Sequence, residues 1–378
     1  MKCLCKNFCK NRKASKSCKK NLTEKGFKGV LSDKRIPVPA PHSIIDSEGK
    51  AVFGTFDREI PDMNFLDVHK QSPVFPDFMN KSRLTLWEAC ELNFDDIVVL
   101  VAVADMGGVF GTTLTVLYDK KEKKRYTWQS TLPIWKTKIA ENLLDGAVTV
   151  GKSHINRVEF VNDFGNGKAT VTCKARGKAG KFELEGNLTR VSEPSVVNIP
   201  FGKNKPLYTQ KDLFKLDGYV KWNGKTYKST DCSTAIIDDH RGYYPYNSHY
   251  DWVTTMGRQE INGKEQFFGI NLTRNQSINQ DDYNENLLWL EGTSSRLTPV
   301  YFDHVAYDKW HVYDDYGMVD LIFDIGDRNL IKMNILGIVK SDYHITFGVI
   351  NGYVCDEDGN KVVFDNAVGI GEDKSLRV

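Results

Sequence analysis

The residues best equipped for chemistry in this chain lie in Asp238-Asp239-His240-Arg241-Gly242-Tyr243-Tyr244-Pro245-Tyr246, followed by His249, Tyr250 and Trp252. Two adjacent Asp on an extended strand point to opposite faces, so one can enter an interior while the other stays solvated. A carboxylate in an aromatic-lined cavity has its pKa raised by desolvation and can give or take a proton near neutrality. Asp238 is accordingly the candidate catalytic group. Arg241 opposes that effect if it pairs with the same carboxylate. The alternative is a structural corner, with Asp238 and Arg241 as a brace, Gly242 and Pro245 setting the backbone, and the tyrosines as core.

Further polar residues stand where strand alternation expects apolar ones: Asn271 within Phe267-Phe268-Gly269-Ile270-Asn271-Leu272, and Glu285-Asn286 just before Leu287-Leu288-Trp289-Leu290. Buried amides and carboxylates cost free energy unless hydrogen-bonded, so they either orient a ligand or pair with backbone. Tyr208 and Lys211 offer a phenol and an ammonium to balance those acids. The ligand-binding candidates are therefore Tyr208, Lys211, Arg241, Tyr244, Trp252, Asn271, Glu285 and Asn286.

Standard signatures are missing. Gly107-Gly108 to Gly111-Thr112 lacks the lysine of a phosphate loop, and Gly369-Ile370-Gly371 lacks both a third glycine and a flanking βαβ unit. Neither a His-Glu-x-x-His helix nor a Gly-x-Ser-x-Gly elbow occurs. Asp356-Glu357-Asp358-Gly359-Asn360 reads as a hairpin turn, because the distal glutamate of a calcium loop is absent. No cofactor is expected from these patterns. Cys3, Cys5, Cys9 and Cys18 form a weak zinc candidate, with a flexible thiol-bearing leader as the alternative, while Cys90, Cys173, Cys232 and Cys355 are scattered as reduced cysteines would be.

The elements that must position these residues are read from the rest of the 378-residue chain, whose 40% hydrophobic and 26% charged composition is that of a globular protein. Residues 1–36 form a basic, Cys-rich arm with 12 Lys and Arg against two acids, so the net +2 divides into +10 on the arm and −8 on the body. Such an arm can touch nucleic acid or anionic membrane, or act as a solvated leader. Its lysines lead into no hydrophobic signal region, and the longest uncharged apolar run, Ile97 to Ala104, is far short of the roughly 20 residues a membrane helix needs. A cytoplasmic location and no transmembrane segment are expected.

Residues 37–82 are Pro-rich and read as extended chain wrapping a core. From Arg83 onward, short segments rich in Val, Ile, Tyr, Phe and Thr recur between turn signals, Met318 to Asp324 and Leu330 to Val339 among them, several joined by hairpin dipeptides at Asn223-Gly224, Asn262-Gly263 and Asp358-Gly359. Such turns reverse the chain, so the strands are antiparallel and a parallel nucleotide-binding sheet is disfavoured. The one helical window, Ile139 to Leu144, is too short for crossovers. The expected fold is all-β: two barrels or curved sheets packed together. A Pro-containing connection near residues 192–207 divides them into a first barrel over 83–200 and a second over 201–378 that carries the site.

Taken in order, Tyr208-Thr209 with Lys211, Asp238 with Arg241-Gly242, Pro245-Tyr246 up to Trp252, Gly269 with Asn271-Leu272, Glu285-Asn286, Phe347-Gly348 and Gly371-Glu372 resemble the bacterial family called domain of unknown function 2804, from about Arg83 to the C-terminus. The chain departs from the family pattern at Asp239-His240, Tyr244 and Tyr250, keeping aromatic character at the last two, and the Cys-rich arm has no counterpart there. The family is in turn remotely similar to calycin-like two-barrel proteins that include carotenoid hydratases, tocopherol cyclases and lipocalin-type pericyclases.

The resemblance implies a barrel fold and supplies no reaction. Two small-molecule readings follow. One is a binder of a hydrophobic lipid, terpenoid or polyketide-like molecule in a β-barrel cavity. The other is a hydratase-, isomerase- or cyclase-type enzyme with its pocket where two barrels meet, using Asp238 as acid or base, Arg241 and Lys211 on an anionic or carbonyl group, and Tyr244 and Trp252 against the skeleton. A third reading makes the basic arm the working part of an interaction protein.

Overall fold

The computed structural model describes residues 26–335 and 339–377, so Cys3, Cys5, Cys9, Cys18 and most of the basic arm lie outside the described residues. The fold is nearly all β, with one nearly closed barrel and one half-barrel sheet. Among the described residues the single α-helix is Asn80–Arg83, and no helix is long and apolar enough to cross a membrane.

The first sheet runs, neighbour to neighbour, through Lys124–Pro133, Phe110–Asp119, Ile97–Met106, Leu84–Asn93, Thr234–Tyr243, Pro206–Trp222, Gly180–Arg190, Lys168–Gly177, Asn156–Asp163, Ala147–Lys152 and Thr137–Lys138. Its ends approach each other: Ser130 and Ser153 hydroxyls are 2.9 Å apart, and the Asn156 amide donates to the Trp128 carbonyl at 3.1 Å. Strict alternation builds this barrel. In Lys168–Gly177, Ala169, Val171, Cys173 and Ala175 are buried between exposed or half-buried neighbours. They meet Cys90, Leu92, Val99, Val101, Phe160 and Phe214 in a filled interior. Residues 37–82 pack Ile44, Ile60, Phe65 and Val68 against Tyr208 and Tyr243 at one end of it, as wrapping chain.

The second sheet has the order Thr293–Arg296, Leu287–Leu290, Lys264–Arg274, Asn247–Ile261, Lys361–Arg377, Val339–Cys355, Val319–Ile335, Lys309–Tyr313, Tyr301–Ala306. Its inner face is filled by Val253, Phe268, Ile270, Trp310, Phe323 and Ile350. Asn223 and Asn262 adopt positive φ, each followed by a positive-φ glycine, and both turns join antiparallel strands as the dipeptides require.

Three expectations need correction. The division at 200/201 falls inside the first sheet, because Pro206–Trp222 and Thr234–Tyr243 both belong to it, and the chain changes sheets at residues 244–246. Prolines mark a connection without saying which sheet receives the next strand. Ile139 to Leu144 is not helical. The Arg241 guanidinium takes the carbonyls of Ala140 and Glu141 at 2.6 and 3.0 Å, and the Asn142 side chain accepts from Leu144 N, so the groups a helix would use are engaged elsewhere. The segments Met318 to Asp324 and Leu330 to Val339, read as two strands, are joined in one long strand, Val319–Ile335, whose register shifts between Ile325 and Asp327.

Candidate functional site

The outer face of the first sheet meets the outer face of the second, away from the two filled inner faces. A cavity of about 220 Å³ opens there. Leu100, Ala102, Ala104, Met106, Phe110 and Leu114 form its apolar side. Beside it Leu100, Leu114 and Trp252 join Ile345, Phe347 and Ile370 in the apolar seam between the sheets.

Strand parity decides which polar groups reach this space. On Thr234–Tyr243, Asp238 and His240 face the cavity while Asp239 and Arg241 face the barrel interior. Arg241 is bidentate to Asp239 at 2.7 and 2.9 Å, so it neither braces Asp238 nor reaches a ligand. On the adjoining strand Lys211 lines the cavity, whereas Tyr208 points inward and donates to Gln210 Oε1 at 2.7 Å. Gly242 sits where a Cβ would come within 2.3 Å of the Pro206 carbonyl, which holds these two strands together at the corner. Asn286 is committed to backbone, accepting from Thr273 N and donating to the Thr298 carbonyl, and does not line the cavity.

The remaining candidates converge. Lys211 Nζ lies 3.4 Å from Asp238 Oδ2, 3.2 Å from Glu285 Oε2 and 3.1 Å from Asn271 Oδ1, and 5.1 Å from the Trp252 ring centroid. Asn271 also accepts from Trp252 Nε1 at 2.6 Å and donates to the Glu285 carbonyl. Tyr244 lines the wall nearby.

His240, which was not among the sequence candidates, completes the group. Its Nε2 is 3.1 Å from Asp238 Oδ1, 3.6 Å from Glu285 Oε2 and 3.0 Å from Thr209 Oγ1. Thr209 spends its hydroxyl hydrogen on Glu285 at 2.7 Å, so His240 Nε2 must be the donor to Thr209. The electrostatics agree: burial disfavours the imidazolium, yet Asp238 and then Glu285 raise the His240 pKa to about 9. Burial likewise opposes charge on Glu285, but Lys211 and His240 hold it well below the usual carboxylate range. Trp87 stacks on the imidazole at 4.6 Å and 9°, fixing its plane.

Three further residues on the walls were not among the sequence candidates. Glu91 is buried, its Oε2 lacks a hydrogen-bond partner, and burial followed by the charge of Asp238 raises its pKa well above normal. Glu372, quoted only as part of a family motif, accepts hydrogen bonds from Tyr250 at 2.8 Å and from Tyr343, and burial raises its pKa. Lys374 Nζ lies over the rings of Tyr343, Trp87 and Tyr250 at 4.6 to 5.8 Å, and burial lowers its pKa. An acid flanked by apolar neighbours, as in Cys90-Glu91-Leu92, was the available signal for Glu91.

Over residues 35–378 the sequence matches the family described as Domain of unknown function (DUF2804). The chain belongs to that family. The match begins at Arg35, so nearly all of the basic arm lies outside it. A search of curated proteins gives no match. Among solved structures, kievitone hydratase from Nectria haematococca is similar at 10% identity and a TM-score of 0.42, covering 78% of this chain and 88% of that one. A Nitrosomonas europaea protein provisionally assigned as ATTH is similar at 11% identity and a TM-score of 0.35, covering 80% and 98%. These likenesses concern the path of the chain, and neither brings a substrate with it.

Proposed function

We propose that this member of the family binds a small, largely apolar molecule of one or two rings in the cavity between its sheets and moves a proton on it, as hydratases, isomerases and cyclases do. The size follows from the volume. A dry cavity of about 150 Å³ accepts benzene, and sites for drug-sized molecules begin near 300 Å³, so about 220 Å³ suits one or two rings.

One observation carries the reading. Glu91 and Asp238 share the cavity face of two paired strands, Glu91 opposite Ile236 and Asp238 opposite Ala89, which makes them diagonal neighbours. Their Cα atoms are then about 7–8 Å apart, enough to flank one reacting group. Glu91, held protonated by burial, is the proton donor. Asp238, set between Lys211 and His240, is the group that accepts a proton or orients water. Tyr244, Tyr250 and Tyr343, whose pKa values burial raises, stay neutral; Tyr250 and Tyr343 give their hydrogens to Glu372, which leaves Tyr244 as the phenol that donates to the ligand. Lys374 offers an ammonium to an oxygen of the ligand. Arg241 has no part in this scheme.

The apolar side of the cavity also suits a carrier that does no chemistry. The two readings separate in heavy water. A panel of small aromatic and terpenoid enones is incubated with the protein in D₂O, and deuterium bound to carbon is measured by mass spectrometry. Incorporation that falls at least 100-fold in Glu91→Gln and Asp238→Asn supports proton transfer. Retention of a panel member without exchange supports a carrier, and equal exchange in wild type and variants overturns the assignment.

A further inference from the structure

On the far side of the same strands, facing the inside of the half-barrel, a second set of groups meets without any part in the cavity. Tyr250 and Trp252 point to the cavity, so His249 and Asp251 between and beside them point the other way, and Asp373 does the same between Glu372 and Lys374. His304 reaches them from Tyr301–Ala306, at the edge of the sheet.

We propose that His249, His304, Asp251 and Asp373 bind one divalent first-row transition-metal ion of the zinc class. Asp251 and Asp373 are directly opposite in the register of two paired strands. Like charges in that position destabilise a sheet, so the pair calls for a cation between them. The distances have the right scale. Zinc-to-ligand bonds of about 2.0–2.2 Å put neighbouring ligands of a tetrahedron roughly 3.3–3.6 Å apart. Here His304 Nε2 to Asp251 Oδ1 is 3.0 Å and His249 Nε2 to Asp251 Oδ2 is 3.2 Å, and one ligand atom each of His249, Asp251 and Asp373 lie within 4.8 Å of one another, with His304 joining them through Asp251.

The supports of a metal site are also in place. Ser375 Oγ is 3.1 Å from His249 Nδ1, which leaves Nε2 free for an ion. His304 is stacked on the buried Trp310 at 4.6 Å and 12°, which fixes its ring. The His249 side chain is 49% exposed and that of Asp251 only 11%, so an ion has a way in and an anchored floor. Two imidazoles and two carboxylates favour zinc, cobalt or nickel over magnesium or calcium, which prefer all-oxygen sites. An ion there ties Asn247–Ile261 to Lys361–Arg377, the strands that bear Tyr250, Trp252, Glu372 and Lys374.

The test uses the full-length, tag-free chain, stripped with EDTA and titrated with Co(II) at pH 7.5. One equivalent should give visible d–d bands with no thiolate-to-cobalt charge transfer in the near ultraviolet, which distinguishes this site from the cysteines of the arm. Zn(II) should displace the cobalt and raise the melting temperature. His249→Ala/His304→Ala should weaken this binding at least 100-fold. Should that variant fail to fold by circular dichroism, Asp373→Asn serves in its place and should weaken it at least 10-fold. Wild-type protein without these bands, or variants that keep them, overturn the proposal and leave the four residues as ion pairs among themselves.

Discussion

Lys211 and Glu285 form the most enclosed ion pair of the cavity wall, Nζ to Oε2 at 3.2 Å with side chains 4% and 3% exposed. The same ammonium lies 3.4 Å from Asp238, so one cation serves two carboxylates. Removing one partner of such a buried group leaves an uncompensated charge, at a cost of about 3–5 kcal/mol. Lys211→Met should lower stability by about that amount in urea denaturation at pH 7, and a loss below ~1 kcal/mol would mean the pair is not closed in solution.

The acid side of the pH profile should report Glu285. Its folded pKa is depressed, so its stabilisation is present above the ordinary carboxylate pKa and is lost as pH falls below it toward the folded value. The stability gap between wild type and Glu285→Gln should therefore be widest at pH 6–7 and narrow at pH 3–4.

His240 should report the alkaline side. Its folded pKa is raised from 6.5 to about 9, so its contribution is complete below pH 6.5 and lost as pH rises through about 9. Full expression of that shift is on the order of 3 kcal/mol. The difference between wild type and His240→Gln should be near that size at pH 6 and small at pH 10. Proton NMR of the His240 ring should titrate near 9, and a midpoint near 6.5 would contradict the Asp238 and Glu285 contacts.

Glu91 has the opposite sign. The folded protein keeps its proton to a higher pH than the unfolded chain does, so wild type loses stability as pH rises above the ordinary carboxylate value. Glu91→Gln removes that dependence. It should be more stable than wild type at pH 8 and nearly equal to it at pH 4.5, the gap being the free energy spent on keeping Glu91 protonated where the unfolded chain has lost that proton. If Glu91 is the donor proposed above, the same variant loses proton transfer while gaining stability.

Arg241 and Asp239 sit inside the barrel, side chains 3% and 0% exposed. Arg241→Met should cost about 3–5 kcal/mol in denaturant, because it strands Asp239 and frees the Ala140 and Glu141 carbonyls. Ligand specificity in the D₂O assay should be untouched. A change of specificity without loss of stability would return Arg241 to the ligand.

Strand content, antiparallel pairing and hairpin positions were legible because they depend on local signals, alternation and turn dipeptides. So was the gathering of charged side chains at Asp238, Lys211 and Glu285, the first two in strands and the last just before Leu287–Leu290. What went astray was facing. Asp238 and Arg241 are three residues apart and so lie on opposite sides of a strand, whereas Asp238 with His240 and Asp239 with Arg241 are two apart and lie together. The same parity separates Tyr208 from Thr209 and Lys211. Period two says that a strand has two faces, but only the long-range pairing of Thr234–Tyr243 with Leu84–Asn93 says which sheet covers each. For that reason the sequence left open whether the hollow lies inside a barrel or where two barrels meet, and it stands between the sheets.

Because Thr234–Tyr243 divides its labour by parity, variation can proceed on one side without disturbing the other. Exchanges at 238 or 240 alter what the seam can hold and do there, and the barrel's filling is indifferent to them. Exchanges at 239 or 241 challenge the barrel and leave the seam's chemistry alone. A lineage built on this strand can change what the seam holds while keeping its scaffold.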